Sequence, residues 1–312
     1  MYATEKIFIH NEEFPLTESN NDLRQYITSH PELDQVYITT HCGKSRQDTR
    51  NWLESLWERY SPYAEPRFLE RMRCLGGFHP FSWQMYLASV FLDKGYTIEK
   101  NLGTGPDIQL VIAGRRYWIE AVVTTPGNDE QTKGMPINGD IYRSLDPRVA
   151  RISNALTKKY NYYKDNYLGK CCNTNEPFIV AINGTNTETM FGGRALEATV
   201  YARGNDVFKK TSTGSFSGGF YELRGSVCIQ KENRSVMLPT KYFCDDLYKE
   251  ISGAIYCETH IINANNFGRT PEGNIYLAVN SYAQNPLGIF SIGNMISRVE
   301  GGQINRFAWK HS

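Results

Sequence analysis

Two short apolar runs separated by a glycine form the clearest pattern in this chain. Residues 108–113 and 117–123 are rich in β-branched and aromatic side chains, and Gly114-Arg115-Arg116 between them is typical of a turn. This pattern predicts two antiparallel strands joined as a hairpin. Because side chains alternate along a strand, we expect Glu120 and Val122 to point to the same face.

Two acids accompany these runs. Asp107 stands at the entrance of the first run, and Glu120 lies inside the second, with twelve residues between them. An acid in so apolar a strand is costly to bury unless it is paired or binds a cation. Two carboxylates brought together across a hairpin can hold a hard divalent metal through their oxygens. The hairpin therefore predicts a metal site suited to phosphate chemistry.

Helical patterns flank the hairpin. Ser82 is a candidate N-cap for a helix that runs to about Lys94 and ends at Gly95. Pro147 suits the first turn of a second helix, which runs to about Leu168. Its apolar stripe consists of Val149, Ile152, Leu156, Tyr160, Tyr163 and Tyr167. Phe178–Ile182 then predicts a fully buried strand. This order of elements predicts an α/β fold with a central mixed sheet flanked by helices.

The pattern divides the chain into three segments. Residues 1–75 predict a mixed, largely helical segment, with strand-like runs at 6–9 and 36–39 and broken helices over 46–74. Residues 76–185 contain the core elements. Residues 186–312 predict a β-rich extension that completes the sheet. The polar stretch 124–146 is long for a loop in a compact domain, and such loops are usually functional or mobile.

Composition narrows the class of protein. Net charge is +1, so any surface for nucleic acid must be a local patch. No apolar run approaches the roughly 20 residues that a membrane helix needs. The N-terminus lacks the features of a signal peptide, and none of the seven cysteines forms a Cys-x-x-Cys pair. These features predict a cytoplasmic protein with reduced cysteines and no membrane association.

Pro106-Asp107, followed by Glu120 in an apolar strand, resembles the PD-(D/E)XK nuclease superfamily. The resemblance implies a restriction-endonuclease-like core in the order helix, three strands, helix, strand, here over residues 82–182. It also implies Mg²⁺ or Mn²⁺ bound by Asp107 and Glu120, with the Ala121 carbonyl as a further ligand. The superfamily usually has a lysine two residues after the second acid, where this chain has Val122.

Some members of the superfamily carry that lysine on the following helix, where this chain offers Lys158 and Lys159. At 100° per residue from Val149, Lys159 falls near 280°, at the edge of the apolar stripe, and Lys158 near 180°, towards solvent. Periodicity therefore selects Lys159, with a snorkelling lysine at the helix edge as the alternative. The pattern Arg151-Ile152-x-x-Ala155-Leu156-x-x-Lys159 is also similar to an uncharacterised bacterial subgroup.

Further candidate residues lie on the two helices. The first core helix often contributes an acid in this superfamily, and the polar candidate here is Gln84, either a weak metal ligand or a surface amide. Residues 143–170 carry seven basic residues against two acids. Such a patch can bind phosphates or form a solvated helix face. The candidates for binding nucleic acid are Arg148, Arg151, Lys158 and Lys164.

Three functions follow from these features. The first is a Mg²⁺-dependent endonuclease that acts on DNA, which the resemblance places in restriction or phage defence. The second is a catalytically impaired module on the same fold that binds nucleic acid or protein, since Val122 and Gln84 depart from the full catalytic set. The third is an interaction protein that uses its aromatic N-terminal helices. A homo-oligomer is compatible with all three.

Overall fold

The computed structural model describes residues 5–9, 15–124, 145–184, 193–210, 216–231, 234–260, 274–298 and 304–307. The fold is α/β, with a mixed eight-stranded sheet at its centre. Nearly all of the predicted polar loop 124–146 lies outside the described residues. The finer assignment to a restriction-endonuclease-like core is considered below under the proposed function.

The described strands form one large sheet and two small ones. They are β1 (Thr97–Glu99), β2 (Ile108–Ile112), β3 (Arg115–Val123), β4 (Phe178–Asn183), β5 (Arg203–Lys210), β6 (Phe216–Leu223), β7 (Ser226–Lys231), β8 (Arg234–Pro239), β9 (Gly253–Cys257), β10 (Ile275–Val279), β11 (Asn294–Arg298) and β12 (Ile304–Phe307). The large sheet has the order β1-β2-β3-β4-β9-β10-β11-β12, and β5–β6 and β7–β8 pair separately. Strands β3, β4 and β9 are parallel, whereas β1–β2 and β2–β3 are antiparallel.

The predicted hairpin is present, but its turn is tighter than predicted. Ala113 and Gly114 both have positive φ, at 47° and 77°, as a two-residue type I′ turn requires. Arg115 and Arg116 belong to β3, where they pair with Ile112 and Val111. The turn therefore consists of Ala113 and Gly114, and its expected extension over Arg115 and Arg116 was wrong, because the two arginines continue the strand.

The described helices surround the sheet. They are α1 (Asn20–Ser29), α2 (Gln35–Cys42), α3 (Gln47–Tyr60), α4 (Phe68–Arg73), α5 (Phe78–Asp93), α6 (Asp146–Tyr162) and α7 (Arg194–Val200), and a π turn (Tyr163–Tyr167) continues α6. The strand-like run at 36–39 is helical instead. Its N-cap Asp34 accepts hydrogen bonds from the N–H groups of Val36 and Tyr37, which outweighs the β-branched composition.

Helix α5 begins five residues earlier than predicted, with Gly77 and not Ser82 at its N-cap. Pro80 lies in its first turn, where a missing N–H costs nothing, and Ser82 is fully buried inside the helix and does not cap it. The predicted end is confirmed. Gly95 has φ of 73°, and the N–H of Tyr96 donates to the carbonyl of Phe91, which closes the helix as a Schellman motif.

The two faces of β3 pack against different helices. Ile119 and Ala121 join the apolar cluster that contains α5, whereas Trp118 and Val122 join the cluster that contains Leu156 of α6. The predicted alternation along this strand is therefore confirmed. Glu120 consequently faces α6, the helix that carries Lys159.

Side chains from all three predicted segments share one core. The cluster around α5 includes Ile7 from the N-terminal segment and Ile275 from the C-terminal one. Strands β9 to β12 extend the sheet beyond β4, whereas β5 to β8 stay outside it. The boundaries at residues 75 and 185 stay predictions.

Candidate functional site

A glycine-rich loop brings Asp107 to the start of β2. Gly105 has φ of 99°, and a Cβ there would lie 3.3 Å from the Sγ of Cys171, so a larger residue would be both strained and crowded. The buried Asn101 amide donates to the Asp107 carbonyl at 3.0 Å, and its Oδ1 accepts from the N–H of Gly103 at 2.8 Å. The loop is thus held from inside by one amide side chain.

Gln84 holds the same loop from α5. Its Nε2 donates to the Asp107 carbonyl at 3.0 Å and to the Tyr60 hydroxyl at 2.7 Å, and the side chain is buried. Because a main-chain carbonyl only accepts, the nitrogen must be the amide atom that faces it. The second interpretation of Gln84, as a surface amide, is therefore wrong, because the side chain is buried. Metal ligation by its oxygen stays a prediction.

The two predicted acids lie opposite each other. Strand pairing places Ile108 against Ile119, so Asp107 is the residue across from Glu120. One Asp107 oxygen accepts the N–H of Ala121 at 2.7 Å. This bond fixes the Asp107 carboxylate against the strand that carries Glu120.

Glu120 is buried, with 4% of its surface exposed, and its two oxygens differ. Oε1 accepts from the Nζ of Lys159 at 2.6 Å, whereas Oε2 is buried and has no hydrogen-bond partner. Helix periodicity thus selected the lysine that reaches the strand. Lys158, its neighbour, is exposed on the outer face of α6. The catalytic roles of Asp107, Glu120 and Lys159 stay predictions.

The charges at this site are not balanced. Burial and the Glu120 carboxylate raise the pKa of Asp107 above its ordinary value, and burial likewise raises the pKa of Glu120 despite Lys159. Burial lowers the pKa of Lys159, but Glu120 and Asp107 outweigh that effect, so the amine is held in its charged form. The carboxyl groups of Asp107 and Glu120 therefore lie beside a single positive charge, that of Lys159.

A third acid that the sequence did not single out acts on the same site. Glu65 lies between α3 and α4, is largely buried, and pairs with Arg71 at 2.6 Å. Its charge raises the pKa of both Asp107 and Glu120. Its segment adjoins the Asp107 loop, because the N–H of Asn101 donates to the carbonyl of Tyr63 at 2.9 Å. No local signal marked Glu65, since only tertiary packing brings it here.

The residues present fit a divalent cation bound by few protein ligands. A cation would satisfy the orphan Oε2 of Glu120 and offset the repulsion with Asp107. Among the described residues, no three His, Cys, Asp or Glu side chains come close enough to hold a metal together. Mg²⁺ is commonly bound by one or two carboxylates and completed by water and phosphate oxygens, so two acids suffice.

The four residues predicted to bind nucleic acid differ in exposure. Lys158 and Lys164 are exposed, and Arg151 is half-buried. Arg148 is only 6% exposed, so it does not belong to the exposed basic surface of α6, and its role in binding nucleic acid stays a prediction. The helix periodicity explains the difference, because Arg148 falls about 20° from Lys159 around α6, on the side that faces the sheet.

Comparisons with protein-family models, with curated proteins and with solved structures found no match for this chain. In the part of the chain that the structure describes, none of the helices is both long and apolar enough to cross a membrane.

Proposed function

We propose that this chain is a divalent-metal-dependent nuclease that hydrolyses phosphodiester bonds of DNA on a restriction-endonuclease-like core. The observation that carries the proposal is the Glu120 carboxylate. One of its oxygens accepts from Lys159, and the other is buried without a hydrogen-bond partner, opposite Asp107. A buried carboxylate oxygen is rarely left unsatisfied unless a ligand completes it.

The order of the surrounding elements supports the same proposal. Helix α5, strands β1, β2 and β3, helix α6 and strand β4 follow one another in the order that the resemblance implies. Asp107 directly precedes β2, Glu120 lies within β3, and Lys159 reaches Glu120 from α6. The resemblance implies the same arrangement, in which the two acids of the hairpin and a migrated lysine on the following helix form one site.

Each residue has a distinct role in the proposed mechanism. Asp107 and Glu120 would hold Mg²⁺ or Mn²⁺, which supplies Lewis-acid stabilisation of the charge that develops on the phosphoryl oxygens. Lys159 keeps its proton because both acids favour the charged amine. One N–H of Lys159 binds Glu120, so the others can orient the attacking water or a phosphate oxygen. Gln84 and Asn101 hold the Asp107 loop in place.

Two adjacent lysines provide the sharpest test. We expect Lys159→Met to lower Mg²⁺- or Mn²⁺-dependent cleavage of plasmid DNA by roughly a hundredfold or more, because it removes a charged donor from the reacting centre. Lys158→Met is the matched control, one residue away and facing solvent. Loss of a phosphate contact there weakens DNA binding only, so at saturating DNA it should change the cleavage rate by less than about threefold. Equal effects of the two substitutions would contradict the proposal.

Asp107→Asn tests whether cleavage can be lost while the protein remains folded. The substitution removes one of two repelling acids, so we expect the thermal midpoint without metal to stay the same or rise. Cleavage should fall to the level of Lys159→Met. Cleavage that persists in Asp107→Asn, or that wild type shows equally in EDTA, would contradict the metal mechanism.

The catalytically impaired binding module is a second candidate function. The Glu120–Lys159 ion pair and the bonds from Gln84 to the Asp107 loop are contacts that can hold the fold without metal. A gel shift in EDTA, with no cleavage in Mg²⁺ or Mn²⁺ by wild type or Gln84→Glu, would favour this module over the nuclease.

A further inference from the structure

The end of α6 carries a pair of tyrosines beside the candidate site. Tyr162 ends the α-helix, and Tyr167 ends the π turn that follows. Side chains five residues apart point about 140° away from each other on a regular α-helix. The π turn changes this geometry, because the N–H of Leu168 donates to the carbonyl of Tyr163, five residues back. The rings of Tyr162 and Tyr167 meet edge to face, with centroids 5.2 Å apart.

This pair adjoins the acids and the lysine. Tyr162 lies three residues after Lys159, so the two side chains are neighbours on the helix surface. Tyr167 is close enough to the two acids that, besides burial, the charges of Glu120 and Asp107 raise the pKa of its hydroxyl. The tyrosine pair therefore stands at the edge of the same site.

Tyr162 presents its ring to solvent. The side chain of Tyr162 is 49% exposed, whereas Tyr167 is half-buried and packs its ring against that of Tyr162. A rigid, exposed aromatic ring next to a charged site offers a surface on which a flat base can stack. Exposed cations lie nearby on the same helix and turn, since Lys158 and Lys164 are both exposed. Their charge suits the backbone of a nucleic acid.

We propose that Tyr162, supported by Tyr167, stacks an unpaired nucleobase next to the scissile phosphate, so that the substrate is single-stranded or locally unpaired DNA. This inference rests on the proposed nuclease function for the identity of the neighbouring site. A base inside a duplex has both faces covered by its neighbours, whereas an unpaired base can leave the stack and cover an aromatic ring. The carboxylates and Lys159 would then face the phosphate attached to that base.

The test measures binding without chemistry. Anisotropy of a fluorescein-labelled single-stranded 20-mer and of its duplex, in EDTA, gives the two affinities for the full chain. Tyr162→Ala should weaken single-strand binding by roughly five- to hundredfold, as loss of one stacked base predicts. Tyr162→Phe keeps the ring and should retain wild-type affinity. Duplex binding should change by less than about twofold in both variants.

Tyr282 provides the matched control, because it is 48% exposed on a turn outside the site. Tyr282→Ala should leave both affinities unchanged. An equal loss for single strand and duplex in Tyr162→Ala, or a loss that Tyr282→Ala reproduces, would overturn the proposal. So would a wild-type chain that binds the duplex as tightly as the single strand.

A base analogue reports stacking directly. 2-Aminopurine placed at successive positions of the single strand should change its emission on binding at one position, and the change should vanish in Tyr162→Ala and persist in Tyr162→Phe. Emission that is the same in all three chains would overturn the proposal. These measurements need no cleavage, so an inactive chain that still stacks a base contradicts the nuclease and not the stacking surface.

Discussion

At the scale of single residues, the candidate site depends on the few hydrogen bonds made by five side chains. Asn101 and Gln84 both donate to the Asp107 carbonyl, Asp107 accepts from Ala121, and Glu120 accepts from Lys159. Their donors and acceptors match, apart from the Oε2 of Glu120. A substitution that exchanges a donor for an acceptor here should therefore cost more than its change in size suggests.

Gln84→Glu is such a substitution. The new side chain has no donor for the Asp107 carbonyl and adds charge near an acid whose ionised form is already disfavoured. We expect the free energy of unfolding in EDTA to fall by about 1–3 kcal/mol, measured by urea denaturation. Gln84→Met is the matched control, because it loses the same bonds without adding charge. A gain of Mn²⁺ affinity and of cleavage in Gln84→Glu would instead identify this position as a metal ligand.

At the scale of elements, buried polar side chains form hydrogen bonds with the main chain at the ends of neighbouring helices. The pattern of apolar residues does not predict these bonds. Asp34 caps α2 with one oxygen, and its other oxygen accepts from the N–H groups of Gly76 and Phe78 at the start of α5. Arg50 of α3 donates to the carbonyls of Thr40, His41 and Gly43 at the end of α2. Such contacts place α2, α3 and α5 relative to one another.

Arg50→Met should destabilise the protein. The side chain is 2% exposed, and its loss leaves carbonyls at the end of α2 without their charged donor. We expect the free energy of unfolding to fall by about 3 kcal/mol in urea denaturation. Lys44→Met, which removes an exposed lysine paired with Glu18, should cost less than about 1 kcal/mol. Similar costs for the two variants would show that Arg50 is not a structural contact.

Local patterns predicted the elements of the core well and their boundaries less well. The hairpin, the amphipathic α6, its lysine on the inner edge and the buried β4 all follow from spacing and composition. The start of α5 and the helical α2 did not, because Pro80 and Asp34 overrode the apolar pattern. Glu65 was missed entirely, because its approach to Asp107 depends on how α3 and α4 pack.

At the scale of the whole molecule, distant segments meet in contacts that respond to pH. His79 at the start of α5 and His260 after β9 lie edge to face, with ring centroids 4.7 Å apart. Burial, His79 and Arg46 lower the pKa of His260 to about 4, and burial lowers the pKa of His79 against the opposing effect of Asp34. Protonation of either ring therefore opposes this contact.

Stability should decline on the acid side because of this pair. An unfolded histidine has a pKa of about 6.5, so between about pH 6.5 and 4 the unfolded chain binds more protons than the folded one. The contribution of His260 is complete above about pH 6.5 and is lost as the pH falls towards 4. We expect His260→Phe to show a smaller fall in unfolding free energy between pH 7 and pH 5 than wild type. If the unfolding free energy falls equally in both chains, His260 is not the group responsible for this pH dependence. At pH 7 the difference in unfolding free energy between the two chains reports only the change in side-chain packing.

The sequence by itself determined the hairpin, the positions of Asp107 and Glu120 along it, and the choice of Lys159 over Lys158. All three depend on periodicities of two or 3.6 residues, which are properties of the local backbone. Only the tertiary structure decided which side chains complete the site. Helix packing provides the bond from Gln84 to the Asp107 carbonyl and places the charge of Glu65 near both acids, and one π turn brings the rings of Tyr162 and Tyr167 together. Local spacing does not fix these distances, because each depends on how separate elements pack or on an irregular turn.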